Sequence, residues 1–453
     1  MSGMGTGSVV KDEHGRPLRL DRLLGVGGQG EVWASGSRVA VKLLNARTPR
    51  ARAALRERLG VVRRLPLDGL PISRPYSMLA EPHAGYTMDL LADMDPLRAL
   101  SAPSSRDLLT WYAASGGLRR RLTLLAAAAD ALARLHARGI VYGDPSPSNV
   151  LVSADPAHEE IWLIDADNLG VVSDVPEHGY ATFGYGAPEL IAGTGGISSL
   201  SDAHAFAVIV LETIALVHPF LGDAVEEAGP EEQDRAFSGG LPWIDDPDDA
   251  RNRSSNGLDR EVVLTLGLRK LAARTFGEGL HRPCRRPSLG EWRAKLRAAA
   301  DLLVPCTACA QASYVVNPRC SWCGAPIAPP LLAAVGLAVP GALEESPLSE
   351  ALAVPQGRWI GVRSRNVLVS SEDPPGRHVA WLHWEPGRHL VIRNEGDGPI
   401  WLRRDTGGPQ LSVEPHGEIS VPAHGAVPEW TVHFGAPSEI HRMLRFRSLK
   451  GRS

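Results

Sequence analysis

The chain has little net charge of either sign, no apolar run long enough to span a bilayer, and too few cysteines for a disulfide framework. Its 453 residues carry a formal net charge of −3, so no global field favours nucleic acid or an anionic membrane. A locally basic end (Arg442, Arg445, Arg447, Lys450, Arg452) reads as a solvated strand edge and frayed terminus. The first residues are polar and have no apolar signal core. The most apolar later stretch, Leu331 to Leu343, is too short for a spanning helix and contains Pro340. Five cysteines in a chain this long do not make a stapled scaffold. A cytoplasmic protein is expected, with no membrane span and no nucleic-acid partner.

What is present is ordinary for globular protein: 43% hydrophobic and 22% charged residues, with length for two or three domains. Residues 1–17 read as a flexible N-terminus. From Leu18 to about 92 the pattern is strand-like, with Ser35-Gly36-Ser37 as a tight turn and one helix from Arg50 to Leu65, ended by Pro66. After that the chain turns helical: Leu122 to His136, Ala203 to Leu216, Arg260 to Phe276 and Leu289 to Leu303. The Gly-, Pro- and Asp-rich 222–258 reads as a long loop. Residues 304–326 form a cysteine module and 327–356 a linker. From 357 to 453 short alternating runs separated by turn residues predict a small all-β domain, most simply a sandwich.

Five short elements carry chemistry, in this order. Gly25-Val26-Gly27-Gly28-Gln29-Gly30 and Val32 form a GxGxxG loop, whose backbone N–H groups can approach phosphate with no Cβ in the way. A strand, Glu31-Val32-Trp33-Ala34, follows it, which argues against a dinucleotide-binding turn leading into a helix. Lys42 stands alone on the apolar strand Val39-Ala40-Val41, where burial is costly unless it meets opposite charge. Asp144 and Asn149 lie in Asp144-Pro145-Ser146-Pro147-Ser148-Asn149. Asp165 follows the apolar Ile161-Trp162-Leu163-Ile164, and Ala187-Pro188-Glu189 comes last. A carboxylate and an amide are the hard-oxygen ligands magnesium prefers.

Together these resemble the protein-kinase set of glycine loop, strand lysine, catalytic loop, metal aspartate and end of the activation segment. The resemblance covers about residues 18–300 and implies an α+β, bilobal kinase-like domain with an N-lobe over 18–92 and a C-lobe over 93–300. It implies ATP and Mg2+ as cofactors and phosphoryl transfer to Ser/Thr hydroxyls of proteins. Gly25, Gly27, Gly30, Val32, Ala40, Lys42, Met88, Asp89 and Leu91 would hold the nucleotide. Asp144 would receive or orient the substrate proton, and Asn149 and Asp165 would hold magnesium. Glu57, the only carboxylate in its helix, would pair with Lys42, although it shares a face with Val61 rather than with the Leu55, Leu59 and Val62 stripe. Arg286 would pair with Glu189.

Three departures bear on activity. Tyr142-Gly143 replaces the usual His-Arg, giving a catalytic loop with no arginine before its aspartate. One receptor for a phosphorylated activation loop is thereby missing, with Ser173 and Thr182 as remaining candidate modification sites. Ser146 stands where a lysine commonly steadies the γ-phosphate, and Asp167 replaces the glycine after the metal aspartate. They keep a nucleotide-binding scaffold open as an alternative. The Tyr-Gly-Asp start keeps open a small-molecule phosphotransferase of the aminoglycoside-kinase type.

Cys306-x-x-Cys309 and Cys320-x-x-Cys323 offer the four thiolates of a structural zinc ribbon; the alternative is a redox pair. A serine/threonine kinase domain followed by such a ribbon resembles a bacterial family associated with tellurium resistance. That resemblance implies a metal-dependent protein phosphatase and a von Willebrand A-type protein as partners. The β domain lacks the Gly-Arg and Ser-x-x-His order of a forkhead-associated module, so its ligand is open.

Overall fold

The structure, a computed structural model, describes residues 4–46, 48–105, 107–171, 181–340, 346–368, 377–423 and 427–449. Ser173 and Lys450 lie outside the described residues. The chain divides into two compact units: Met1–Gly116 with Arg120–Leu296, and Gly117–Arg119 with Arg297–Ser453. No described helix is long and apolar enough to cross a membrane.

The first unit opens with a hairpin of β1 (Val9–Lys11) and β2 (Pro17–Arg19), which corrects the expected loose N-terminus over 1–17. Val10 and Leu20 bury against Trp33, Val41 and Leu79. The Asp12 carboxylate accepts from the N–H groups of His14 and Arg16 and closes the turn. Two apolar side chains and one turn carboxylate are too few to show as periodicity.

Four antiparallel strands follow: β3 (Arg22–Gly27), β4 (Gly30–Ser35), β5 (Val39–Leu44) and β6 (Gly85–Asp89). Their register sets Lys42 between Val32 on β4 and Tyr86 on β6, and Ala40 opposite Met88. Between β5 and β6 runs α1 (Pro49–Val62), started by proline at its first turn and capped by Thr48, whose hydroxyl accepts the Ala51 N–H. It buries Leu59 and Val62.

The helical part comprises β7 (Met94–Pro96), α2 (Leu108–Ala114), α3 (Gly117–His136), β8 (Ile140–Val141), β9 (Val150–Ser153), β10 (Ile161–Leu163), β11 (Gly170–Val171) and α4 (Pro188–Ile191). It continues through α5 (Ser199–Ala215), α6 (Asp223–Ala228), α7 (Pro230–Phe237), α8 (Arg260–Val263), α9 (Leu266–Phe276), α10 (Glu278–His281) and α11 (Leu289–Asp301). Small sheets β10-β9-β7 and β11-β8 present the functional loops. Helix α5 is buried on nearly every side, as expected of a helix apolar all round, and Ser198 and Ser201 close its start as a reciprocal capping box. Residues 222–258, expected as a loop, contain α6 and α7. The residues read as loop signals are the helix boundaries: Gly222 precedes α6, and Gly229 with Pro230 separates it from α7.

Arg286 ties α4, α5 and α10 together. Its buried guanidinium donates to Glu189 through two bonds of 2.6 and 2.8 Å, and to the carbonyls of Gly279, Leu280 and Leu200. Truncating one partner of such a pair strands the other, at a cost of about 3–5 kcal/mol.

The second unit begins with the hairpin β12 (Leu303–Pro305) and β13 (Ala312–Tyr314). It continues with β14 (Leu331–Ala338), β15 (Ser346–Val354), β16 (Trp359–Arg363), α12 (Ser364–Val367), β17 (His378–Glu385), β18 (His389–Asn394), β19 (Ile400–Arg404), β20 (Leu411–Val413), β21 (Glu418–Pro422), β22 (Trp430–His433) and β23 (His441–Ser448). One sheet has the order β15-β14-β23-β22-β19-β20 and the other β16-β17-β18-β21. Inward residues of both, among them Val335, Leu382, Ile392, Leu402 and Leu444, share one core. Stretch 327–356 is therefore not a linker. Its Ala- and Gly-rich composition has low strand propensity, but β14 is paired on both sides, to β15 and β23, and buries Leu331, Ala333 and Val335. Tertiary pairing overrides propensity here.

The Arg286→Ala protein is expected to unfold about 3–5 kcal/mol more easily than the parent in denaturant. Coincident unfolding curves would show that Glu189 needs no partner.

Candidate active site and cysteine cluster

Lys42 is 3% exposed. Its ammonium lies 2.8 Å from Asp167 Oδ1, 3.1 Å from Asp165 Oδ1 and 3.5 Å from Gln29 Oε1. The Tyr86 hydroxyl donates to the same Asp167 oxygen at 2.7 Å. Burial pushes the Asp165 carboxyl above its ordinary range; Lys42 opposes this and Asp167 adds to it. Burial, then Asp167 and Asp165, hold the Tyr86 phenol far above its usual value, so it stays protonated and donates. Asp165 has φ +58°, a left-handed conformation that aspartate tolerates better than most residues, and it opens the short turn Ala166–Asn168 that carries Asp167 inward.

Glu57 does not meet Lys42. It is exposed on α1, and its expected role is corrected. At about 3.6 residues per turn it falls roughly half a turn from Leu59 and Val62, the residues α1 buries. Turning Glu57 inward would turn those two out to water.

The catalytic loop is fixed by Asp202 at the start of α5. Its carboxylate accepts the N–H groups of Tyr142 at 2.8 Å and Gly143 at 3.0 Å, and faces His136 Nε2 at 2.9 Å. Gly143 has φ +90°, and a Cβ there would sit 2.8 Å from the Asn168 carbonyl oxygen, so any side chain at this position would strain the backbone. The Tyr142 hydroxyl lies against the carbonyls of Asn149 and Ile164, and the Ile164 N–H donates to the Asn149 carbonyl at 3.0 Å. The two segments holding Asn149 and Asp165 are thereby locked together. Asn149 Nδ2 donates to the Asp144 carbonyl at 3.0 Å and to Asp144 Oδ2 at 3.3 Å. Lys42, Asp144, Asn149 and Asp165 thus converge. Asp144 also accepts from the Thr182 N–H and hydroxyl, both at 2.8 Å on Oδ1. The expected Thr182 modification site is therefore engaged with Asp144. Ser146 is 1% exposed and its hydroxyl has no hydrogen-bond partner; it does not reach out as a lysine would.

Of the three motif glycines, Gly25 and Gly27 have open space where a Cβ would stand, whereas a Cβ on Gly30 would lie 1.9 Å from the Leu43 carbonyl. Two glycines therefore leave room above the loop, and the third is required by the close approach to β5. Ala40 and Met88 share a buried cluster with Val32 packed against it. Asp89 is exposed and bonded by the Tyr76 hydroxyl. Leu91 is half-buried, and Leu90 rather than Leu91 packs against that cluster.

The donor set around Lys42 fits metal-bound phosphate: a buried cation, two carboxylates, an amide and free space above the loop. The four sulfurs of Cys306, Cys309, Cys320 and Cys323 all lie within 4.8 Å of one another, with Cys306–Cys323 at 3.7 Å and Cys309–Cys320 at 3.6 Å. A zinc–sulfur length of about 2.3 Å gives a tetrahedral edge of about 3.8 Å, so the cluster fits that ion. Cys284 is exposed and apart from it.

Sequence reasoning missed three participants. Tyr86 reads only as a strand aromatic, Asp202 as a helix-start residue, and Gln29 as the variable position of the glycine loop. Gln29 bridges Lys42 and Asn168, donating to Asn168 Oδ1 at 3.3 Å.

The family model of the protein kinase domain matches residues 19–256. The chain belongs to that family. It is similar to the serine/threonine-protein kinase PknA of Mycobacterium tuberculosis, 28% identical over 45% of this chain and 48% of that protein. It is also similar to PknD of the same species, 29% identical over 46% of this chain and 31% of that protein. The DNA damage-responsive serine/threonine-protein kinase RqkA of Deinococcus radiodurans is 30% identical over 45% of this chain and 30% of that protein. The chain spans about half or less of the length of these curated relatives.

Proposed function

We propose that this chain transfers the γ-phosphoryl group of ATP to Ser/Thr hydroxyls of proteins in bacterial signalling. The observation that carries the reading is the convergence of Lys42, Asp144, Asn149 and Asp165 in one contact network. Similarity to three bacterial serine/threonine-protein kinases supports the substrate class. Magnesium-ATP supplies the phosphoryl group and offsets its charge. Asp165 and Asn149 would hold the metal, and Lys42 would hold the phosphates. Asp144 orients the incoming hydroxyl and takes its proton as the new O–P bond forms and the bond to the β-phosphate oxygen breaks. Val32, Ala40 and Met88 offer the apolar floor for the base. Thr182, bonded to Asp144, sets the rim on which a substrate segment would lie.

The catalytic loop is of the type without arginine before its aspartate, since Gly143 occupies that place. Control through an activation-loop phosphate paired to that arginine is therefore unavailable to it. The buried Ser146 favours a second reading, a nucleotide-binding scaffold with slow or no transfer. The Cys306, Cys309, Cys320 and Cys323 cluster is read as a zinc ribbon, followed by a β-sandwich domain that begins at β14 rather than near residue 357. A phosphatase and a von Willebrand A-type protein are the partners the ribbon-bearing family implies, acting with it in the cytoplasm.

Radiolabel from γ-labelled ATP is expected on protein with the parent, and a loss of at least about 100-fold with Lys42→Ala, Asp165→Ala or Asp144→Asn. Undiminished transfer in any of them would reject the site. ATP-dependent melting shifts without label would favour the scaffold, and a low-mass phosphorylated product would favour a small-molecule substrate. Metal analysis of dialysed protein should find one tightly held zinc per chain, lost when Cys309 and Cys320 are both changed to serine. Metal-free parent protein would remove the ribbon.

A further inference from the structure

We infer that Asp167 is the positioning residue that holds the phosphate-binding lysine, doing from the turn after the metal aspartate what a helix glutamate was expected to do. This rests on the kinase reading above and deepens it. A buried ammonium needs an anion that stays with it. Asp165 cannot serve alone, because its carboxylate is the one that would turn to metal. Asp167 is 5% exposed, contacts Lys42 at 2.8 Å and is itself fixed by the Tyr86 hydroxyl. Two strands and one turn therefore define the position of the ammonium. Helix α1 contributes apolar packing through Leu59 and Val62 but no charge, and Glu57 faces away from them. The sequence departure at Asp167 and the failure of Glu57 to reach the site are one substitution of function.

The test compares Asp167→Asn, Asp167→Glu, Tyr86→Phe and Glu57→Gln with the parent. Acylation of lysines by acetic anhydride, followed by mass spectrometry, reads the Lys42 environment without nucleotide. Lys42 is expected to label slowly in the parent and in Glu57→Gln. In Asp167→Asn it should label several-fold faster relative to Lys270 and Lys295, and Asp167→Glu should partly restore slow labelling. Affinity for Mg-ADP should fall at least tenfold in Asp167→Asn, less in Tyr86→Phe, and stay within twofold in Glu57→Gln. Faster labelling or weaker binding in Glu57→Gln, with Asp167→Asn like the parent, would overturn the assignment. A parent that binds nucleotide but transfers no phosphate would fail the kinase reading alone, since labelling and binding still decide the role of Asp167.

A different observation points to a second metal site, on the β-rich unit. The hairpin of β17 and β18 pairs Glu385 with His389 across the strands, and His383 lies two residues before Glu385 on the same outward face. Alternate residues Leu382, Trp384, Leu390 and Ile392 enter the core and hold that face. Ligand atoms of His383, Glu385 and His389 all lie within 4.8 Å of one another. The Trp359 ring flanks His383 at 5.2 Å, and Arg388 reaches Glu385 at 3.4 Å. Two imidazoles and one carboxylate on a rigid hairpin make a site for a divalent transition ion such as Zn2+ or Ni2+, with coordination positions left open. Zn2+ titrated calorimetrically into full-length protein whose cysteine cluster is already filled should bind at one further site per chain. The His383→Ala/His389→Ala protein should lose that isotherm while keeping the parent melting curve. No heat from the parent, or the same isotherm from the variant, would overturn the site.

Discussion

The buried ammonium of Lys42 is the constraint around which the first unit is arranged. A charge this deep is tolerated only with opposite charge in contact. The chain brings two carboxylates to it from a turn more than a hundred residues away. Everything that holds that turn therefore acts on the lysine. Tyr142 and the Ile164–Asn149 bond lock the turn to the catalytic loop, and Asp202 locks the catalytic loop to the central helix α5. One connected network runs from the glycine loop to the most buried helix.

The departures from the family pattern are linked by geometry. Gly143 is demanded by its positive φ and by the Asn168 carbonyl, and Asn168 belongs to the turn that delivers Asp167. Where the catalytic loop and this turn approach so closely, even a Cβ at residue 143 would press on the Asn168 carbonyl. The glycine at 143 and the second aspartate, Asp167, thus fit one local packing arrangement.

Much of this was legible in the chain because the motifs are local. A glycine loop, a lone strand lysine, and an aspartate and asparagine five apart each declare themselves within a few residues, and their order fixed the family-level expectation. The four sulfurs were readable for the same reason. Partnership was less legible. Glu57 is the only carboxylate in its helix, which makes it the natural partner by composition, but its face points away from Leu59 and Val62. The pairing of Asp167 depends on a turn and on Tyr86, which no spacing connects. Strands β14 and β15 were hidden by alanine and glycine, and the N-terminal hairpin by brevity. In each case a contact distant in sequence decides the local structure.

The placement of β23 has a consequence for biosynthesis. It lies between β14 and β22, inside the six-stranded sheet, yet it follows both of them, and every other strand of that sheet, in sequence. Until residues 441–448 have left the ribosome, β14 and β22 have no neighbour on those sides, and Leu444 and Phe446 are missing from the core they complete. The first unit, which ends at Leu296, is complete well over a hundred residues before β23 begins at His441, so it can fold first. The six-stranded sheet must wait for β23, and a chain broken shortly before that strand would carry two bare strand edges, on β14 and β22, open to pairing with other chains.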